Sequence, residues 1–144
     1  MEKQEAGVEE LMSSPAESVP SQTTMAEAAR TLNERSVGSL VVGEDRVQGI
    51  VTESDIVAAV GEALDPETPV EELMSDPVVT ARRTESVRTA AERMGRNGVK
   101  KLPVVEDGRP VGVITTTDLA LYLPEYQVKM AHQAEADIVD GEWE

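Results

Sequence analysis

The stretch Val8-Glu9-Glu10-Leu11-Met12-Ser13 occurs a second time as Val70-Glu71-Glu72-Leu73-Met74-Ser75, at an offset of 62 residues. Later landmarks follow in the same order, since Gly49-Ile50-Val51-Thr52 matches Gly112-Val113-Ile114-Thr115 at an offset of 63. Self-similarity at a fixed period indicates a repeated structural unit. The chain is therefore two copies of one unit, with one residue inserted in the second copy, in a turn near Gly108.

Each copy shows the same succession of local patterns. A short amphipathic turn (8–12 and 70–74) ends at a Ser-x-Pro break. In the helix that follows, Met25, Ala28 and Leu32 recur at the spacing of one buried face. The elements predicted for the two copies are extended pieces at 17–19 and 78–80, helices at 24–34 and 85–97, hairpin strands at 39–42 with 47–52 and 102–105 with 110–115, and second helices at 53–64 and 116–123.

This order of elements predicts an α/β (α+β) fold built from two β-α-β-β-α repeats. A domain of about 60 residues buries only about 60% of its chain surface, so we expect the repeats to share a core as a pseudo-two-fold pair. The predicted boundaries are 8–64 for repeat 1, 65–69 for a linker, 70–123 for repeat 2, and 124–144 for a C-terminal helix and acidic tail.

Composition narrows the possible functions. The chain of 144 residues has a net charge of −15, no cysteine and one histidine. Such a surface repels nucleic acid, and without cysteine there is no thiolate metal site. His132 has no histidine at i±4, so no metal is predicted. No apolar run approaches the roughly 20 residues of a membrane span, and the N-terminus lacks a signal sequence. We therefore expect a cytoplasmic protein, with a composition that resembles those of halophilic archaea.

Two motif copies carry a family resemblance. Leu102-Pro103-Val104-Val105-Glu106-Asp107-Gly108 and Gly112-Val113-Ile114-Thr115-Thr116-Thr117-Asp118 resemble the cystathionine β-synthase (CBS) domain family. The first copy departs from the pattern, with Val41 in place of a proline and Gly43 before the acidic residues of its turn. The resemblance implies a tandem pair, or Bateman module. Such modules are regulatory sensors that bind adenosine compounds between the repeats and commonly form homodimers.

The segments Thr52-Glu53-Ser54-Asp55 and Thr115-Thr116-Thr117-Asp118 lie where a strand passes into a helix. Backbone N–H groups at a helix N-terminus favour phosphate. The resemblance implies one site with Thr52, Ser54 and Asp55, and another with Thr115, Thr117 and Asp118. The alternative is a capping box, in which the threonine and the acidic residue only cap the helix.

The resemblance also implies an adenine-facing wall for each site from the other repeat. It assigns Val79, Thr80, Val99 and Lys100 to the Asp55 site, and Val19, Val37 and Gly38 to the Asp118 site. For the apolar members, ordinary strand packing is an equal alternative.

Positive charge is concentrated in the second repeat. Residues 78–112 carry eight basic and four acidic residues, a net of +4, whereas residues 16–49 carry three and five, a net of −2. A polyanionic ligand near Lys100 and Lys101 would explain this distribution. A solvated helix face that balances the acidic residues of a dimer partner is the alternative.

These observations favour a regulatory module that binds AMP, ADP or ATP and acts on a separate effector protein. No nucleophile–base pair or phosphate-binding glycine loop is visible, so we expect neither an enzyme nor a cofactor. The alternatives are an S-adenosylmethionine sensor and a ligand-free dimerisation scaffold. The apolar stripe Ile56, Val57, Val60 and Leu64 predicts a homodimer.

Overall fold

The structure is a computed structural model that describes residues 6–75 and 78–122. The first repeat contains α1 (Val8–Leu11), β1 (Ser18–Val19), α2 (Met25–Arg35), β2 (Ser39–Val42), β3 (Gly49–Thr52) and α3 (Glu53–Gly61). The second contains a 3-10 helix (Val70–Glu72), β4 (Ala81–Arg82), α4 (Val87–Asn97), β5 (Lys101–Glu106), β6 (Arg109–Thr115) and α5 (Thr116–Tyr122). The predicted α+β fold is confirmed. The predicted tail helix, His132 and Trp143 lie outside the described residues.

The two repeats have the same sheet topology. In each three-stranded sheet the first strand runs parallel to the second, and the second pairs antiparallel with the third. The predicted hairpins are thus present, and β2 has the predicted bounds. Because each third strand passes directly into a helix, Thr52–Glu53 and Thr115–Thr116 mark equivalent strand-to-helix junctions.

Most predicted element bounds differ from the observed ones by one or two residues, as for β3, which begins at Gly49 rather than 47, and three differences have a local cause. The extended piece expected at 78–80 is displaced to Ala81–Arg82, where Ala81 pairs with Val104. The Thr80 carbonyl accepts a hydrogen bond of 2.9 Å from the Arg93 guanidinium instead. Helix α4 begins at Val87 rather than 85, because Ser86 is its N-cap and accepts from the Thr89 N–H. Helix α3 ends at Gly61 rather than 64, and the chain turns at Ala63 with φ 59°.

The two hydrophobic cores are completed by an exchange of segments between repeats. Val8 of repeat 1 is fully buried in the core formed by the second sheet and α4. Val70, its counterpart in repeat 2, is fully buried in the core of the first sheet and α2. Backbone hydrogen bonds fix both segments, including Val8 N–H to Glu85 O (2.8 Å). Each amphipathic turn therefore stabilises the other repeat.

Candidate functional site: two clefts between the repeats

The larger cleft is formed at the junction between β3 and α3, and its volume is about 380 Å³. We call it the Asp55 cleft. Residues 98–101 of the second repeat form its opposite wall. The predicted residues Thr52, Ser54, Asp55, Val99, Lys100 and Lys101 all line it, together with Gly38, Ile50, Glu53, Ser75 and Gly98. Gly38 had been expected in the other cleft, and it lines both.

The smaller cleft lies at the equivalent junction between β6 and α5 and measures about 180 Å³. We call it the Asp118 cleft after the motif Thr115–Asp118, of which the first residue lines the cleft. Its lining includes three predicted residues, Val37, Gly38 and Thr115, and also Ser13, Pro15, Ala16, Glu17, Ser39, Lys101 and Val113. Asp118 and Thr117 do not line it. Thr117 instead lines a cavity of about 720 Å³ between α4 and α5.

Three residues assigned to the adenine-facing walls lie elsewhere. Val19 is buried in the first core, and Val79 packs against the second. Thr80 lines a separate polar cavity of about 970 Å³ beside Arg82, Arg83 and Arg93. For Val19 and Val79 the structure thus shows the packing role that was the alternative. Because β4 begins only at Ala81, the Thr80 carbonyl accepts a hydrogen bond from Arg93 instead of a strand partner.

Both Thr-x-x-Asp motifs form capping boxes. The Thr52 N–H donates to Asp55 Oδ2 (2.8 Å), and the Asp55 N–H donates to Thr52 Oγ1 (3.2 Å). The second motif repeats this geometry, with 2.9 Å for Thr115 N–H to Asp118 Oδ2 and 3.1 Å for the return bond. Among the described residues nothing donates to either Oδ1. Each half-buried carboxylate therefore uses one oxygen to cap its helix.

A third capping box, at the start of α2, can be compared with these two. Thr24 and Glu27 form the same reciprocal bonds at the start of α2, but neither residue lines a cleft. The backbone N–H of Thr24 stabilises the Glu27 carboxylate and lowers its pKa below the ordinary value. Capping geometry alone therefore does not identify a binding site in this chain.

The positive charge of the second repeat is partly neutralised within the repeat. Arg93 binds both oxygens of Glu85, at 2.7 and 2.8 Å. This guanidinium lowers the pKa of Glu85 to about 2. Arg83 pairs with Glu106 at 2.8 Å. Lys100 and Lys101, by contrast, form no ion pair within residues 6–75 and 78–122, and both line the Asp55 cleft. They are therefore available to an anionic ligand.

Sequence reasoning missed Glu53, Ser75 and Glu17. Glu53 stands inside the first motif, and its exposed side chain reaches the cleft beside Lys101. Ser75 and Glu17 had no signal of their own, because their place in a cleft depends on packing between repeats. Within the described residues no group of three or more metal-binding side chains occurs, and no helix there is long and apolar enough to span a membrane.

A family model described as CBS domain matches residues 8–62 and 70–125. The chain is 30% identical to the CBS domain-containing protein YhcV of Bacillus subtilis, over 81% of this chain and 84% of that protein. It is 39% identical to an uncharacterised 17.7 kDa protein of Acidianus ambivalens over 67% of this chain, and 31% identical to protein MJ1225 of Methanocaldococcus jannaschii over 77%. These two matches span 60% and 40% of those relatives.

Solved structures give the same picture. The CBS domain protein PAE2072 from Pyrobaculum aerophilum, complexed with AMP, matches with a TM-score of 0.76 and 30% identity, over 88% of this chain and 99% of that one. The CBS domain pair of MJ0100, in complex with 5-methylthioadenosine and S-adenosyl-L-methionine, matches with a TM-score of 0.75 and 28% identity over 83% and 96%. Adenosine compounds are therefore ligands of two similar structures.

Proposed function

The chain belongs to the CBS-domain family, and from this premise we propose that it is a regulatory module that binds an adenine nucleotide and acts on a separate protein. The observation that carries the proposal is the composition of the Asp55 cleft. Hydroxyls, two carboxylates and two lysines from both repeats converge on one cavity of about 380 Å³. This volume falls within the usual range of small-molecule sites, about 300–1,000 Å³.

The parts of an adenine nucleotide suit different walls of this cleft. The Oδ1 of Asp55 can accept from ribose hydroxyls while Oδ2 caps α3. Lys100 and Lys101 supply positive charge for phosphate, and the N-terminus of α3 adds its dipole. Ile50 and Val99 contribute apolar surface for the base. The AMP complex of a similar structure supports this choice.

S-adenosylmethionine is the second candidate, because Glu53 and Asp55 place two carboxylates in the same cleft. A sulfonium cation would be attracted to them, and a similar structure binds this compound. The two unpaired lysines oppose it. We therefore expect AMP, ADP or ATP to bind more tightly than S-adenosylmethionine, as measured by calorimetry of the full chain in high salt.

The experiment that separates a ligand site from a helix cap compares the capping boxes. Asp55→Ala should weaken AMP binding by about 10- to 150-fold, because hydrogen bonds to a charged group contribute about 1.5–3 kcal/mol. Glu27→Ala removes the equivalent carboxylate outside the clefts and should leave AMP affinity unchanged. Both variants should melt at a lower temperature than the parent, because both lose a cap. Equal AMP affinity of the two variants and the parent would favour the ligand-free scaffold.

A further inference from the structure

Lys101 belongs to both clefts. Its backbone starts β5 and pairs with Thr115 in the wall of the Asp118 cleft. Its ammonium nitrogen lies 2.9 Å from the point that a Cβ on Gly38 would occupy, and Glu53 Oε1 lies 3.3 Å from the same point. Glu53 lines the Asp55 cleft. One ammonium group therefore stands where the two clefts meet.

The two clefts depend on this ammonium group to different degrees. Lys100 lines the Asp55 cleft as well, but it does not line the Asp118 cleft. Among the described residues that line the Asp118 cleft, Lys101 is the single basic side chain. The other charged side chain there is Glu17, which pairs with Arg35. Without Lys101, the Asp118 cleft has no positive charge of its own for a phosphate.

The internal repeat explains why the cation is shared. At the offset of 62 residues, Lys100 corresponds to Gly38 and Lys101 to Ser39. The first repeat therefore supplies no lysine to the opposite wall, and the missing side chain at Gly38 leaves the space in which the Lys101 ammonium lies. A side chain at position 38 would displace the flexible end of Lys101.

We propose that Lys101 couples the two clefts, so that AMP bound in the Asp55 cleft weakens the binding of a second phosphate-bearing ligand in the Asp118 cleft. This inference rests on the proposed function. The first phosphate neutralises the ammonium group that the second would need, and it adds a like charge nearby. With its one basic side chain neutralised, the Asp118 cleft then favours an adenosine compound without phosphate.

Calorimetry in high-salt buffer tests this coupling, with AMP and uncharged adenosine as probes. Asp55→Ala weakens AMP binding in the larger cleft, so the variant can bind AMP in the Asp118 cleft while the larger cleft is still largely empty. We expect the AMP affinity of the Asp118 cleft in this variant to exceed the affinity of the parent for its second AMP by at least about 10-fold. This lies within the range of about 5- to 150-fold that coupled sites show. In the Lys101→Met background, this difference should disappear.

Lys100→Met is the matched control, because Lys100 is adjacent in sequence but lines only the Asp55 cleft of the two. It should weaken the first AMP step and keep the coupling. Adenosine should still bind to both lysine variants, which also shows that they are folded. Two equal AMP steps in the parent, coupling that survives Lys101→Met, or loss of all AMP binding in Asp55→Ala would each overturn the inference. If neither probe binds the parent, the proposed function fails as well.

Discussion

The two repeats share a topology, yet their clefts differ. Both contain a strand-to-helix junction with a Thr-x-x-Asp capping box of nearly identical geometry. The Asp55 cleft measures about 380 Å³ and the Asp118 cleft about 180 Å³. Asp55 lines its cleft, whereas Asp118 does not. The opposite walls also differ, since Lys100 and Lys101 of the second repeat correspond to Gly38 and Ser39 of the first. A repeated motif therefore specifies the junction but not the binding site.

The repeats also differ in their internal ion pairs. In the second repeat Arg93 and Glu85 form a partly buried ion pair. The positions that correspond to them in the first repeat are Thr31 and Thr23. The first repeat therefore lacks this ion pair. Its residues 16–49, which correspond to the basic stretch 78–112, carry a net charge of −2. Four experiments test this comparison of the two repeats.

The largest expected effect concerns the charge difference between the repeats. The net charges of +4 on residues 78–112 and −2 on residues 16–49 attract each other, but the chain as a whole carries −15, and we expect the overall repulsion to dominate. Lowering the salt below about 50 mM should therefore reduce the melting temperature by about 10 °C, because the Debye length then exceeds 10 Å. Thermal melts followed by circular dichroism across a salt series measure this. A salt-independent melting temperature would contradict the halophilic interpretation, and a rise would show that attraction between repeats dominates.

The second experiment concerns the helices that follow the hairpins. Val57 and Val60 of α3 are 71% and 63% exposed, while Ile56 packs against the first core. Exposed apolar faces of this kind favour association, so we expect a homodimer that uses them. Val57→Asp combined with Val60→Asp should weaken self-association by at least about 100-fold, since it buries charge without partners. Light scattering should then give a monomer of 15.5 kDa.

Gln48→Glu is the control for that change, because it adds one negative charge at an exposed turn outside α3. It should leave the dimer intact. A parent chain that is already monomeric at micromolar concentration would refute the dimer prediction.

The exchanged segments provide the third experiment. Val8→Ala damages the second core and Val70→Ala the first. Each should lower the free energy of unfolding by about 2–3 kcal/mol, from two lost methylene-sized groups and the cavity left behind. Denaturant titration should show one transition in both variants, since each repeat is completed by the other. Glu10→Ala, an exposed change in the same turn, should cost little. Two separate transitions would show that the repeats fold independently.

The smallest effect concerns the Glu85–Arg93 pair. Arg93 lowers the pKa of Glu85 from 4.5 to about 2, so the ionised pair stabilises the fold above pH 4.5, and this contribution disappears as the pH falls towards 2. Glu85→Gln should lower stability at pH 7 by about 1–2 kcal/mol, allowing for partial exposure. The difference from the parent should shrink to nothing near pH 2. Glu106→Gln breaks the more exposed pair with Arg83 and should cost below about 1 kcal/mol. A loss of stability in Glu85→Gln that does not change with pH would contradict the lowered pKa of Glu85.

The repeat, the order of elements and the capping motifs could be predicted from the amino-acid sequence. Helix periodicity, hairpin turns and Thr-x-x-Asp caps depend on residues within a few positions of one another, so β2 at Ser39–Val42 and the junction at Thr52 could be predicted directly. Six of the residues that line the Asp55 cleft were also predicted, five from the family resemblance and Lys101 from the distribution of charge.

The placement of β4, the exchange of Val8 and Val70, and the difference between the two clefts depend on tertiary contacts and could not be predicted from local sequence. Ala81 rather than Val79 enters the sheet because it pairs with Val104, which is 23 positions away. Lys101 stands over Gly38, 63 positions earlier in the chain, because a missing side chain in one repeat leaves room for a long one from the other. Such contacts depend on side-chain volume and charge across a packed interface, and no local pattern encodes them.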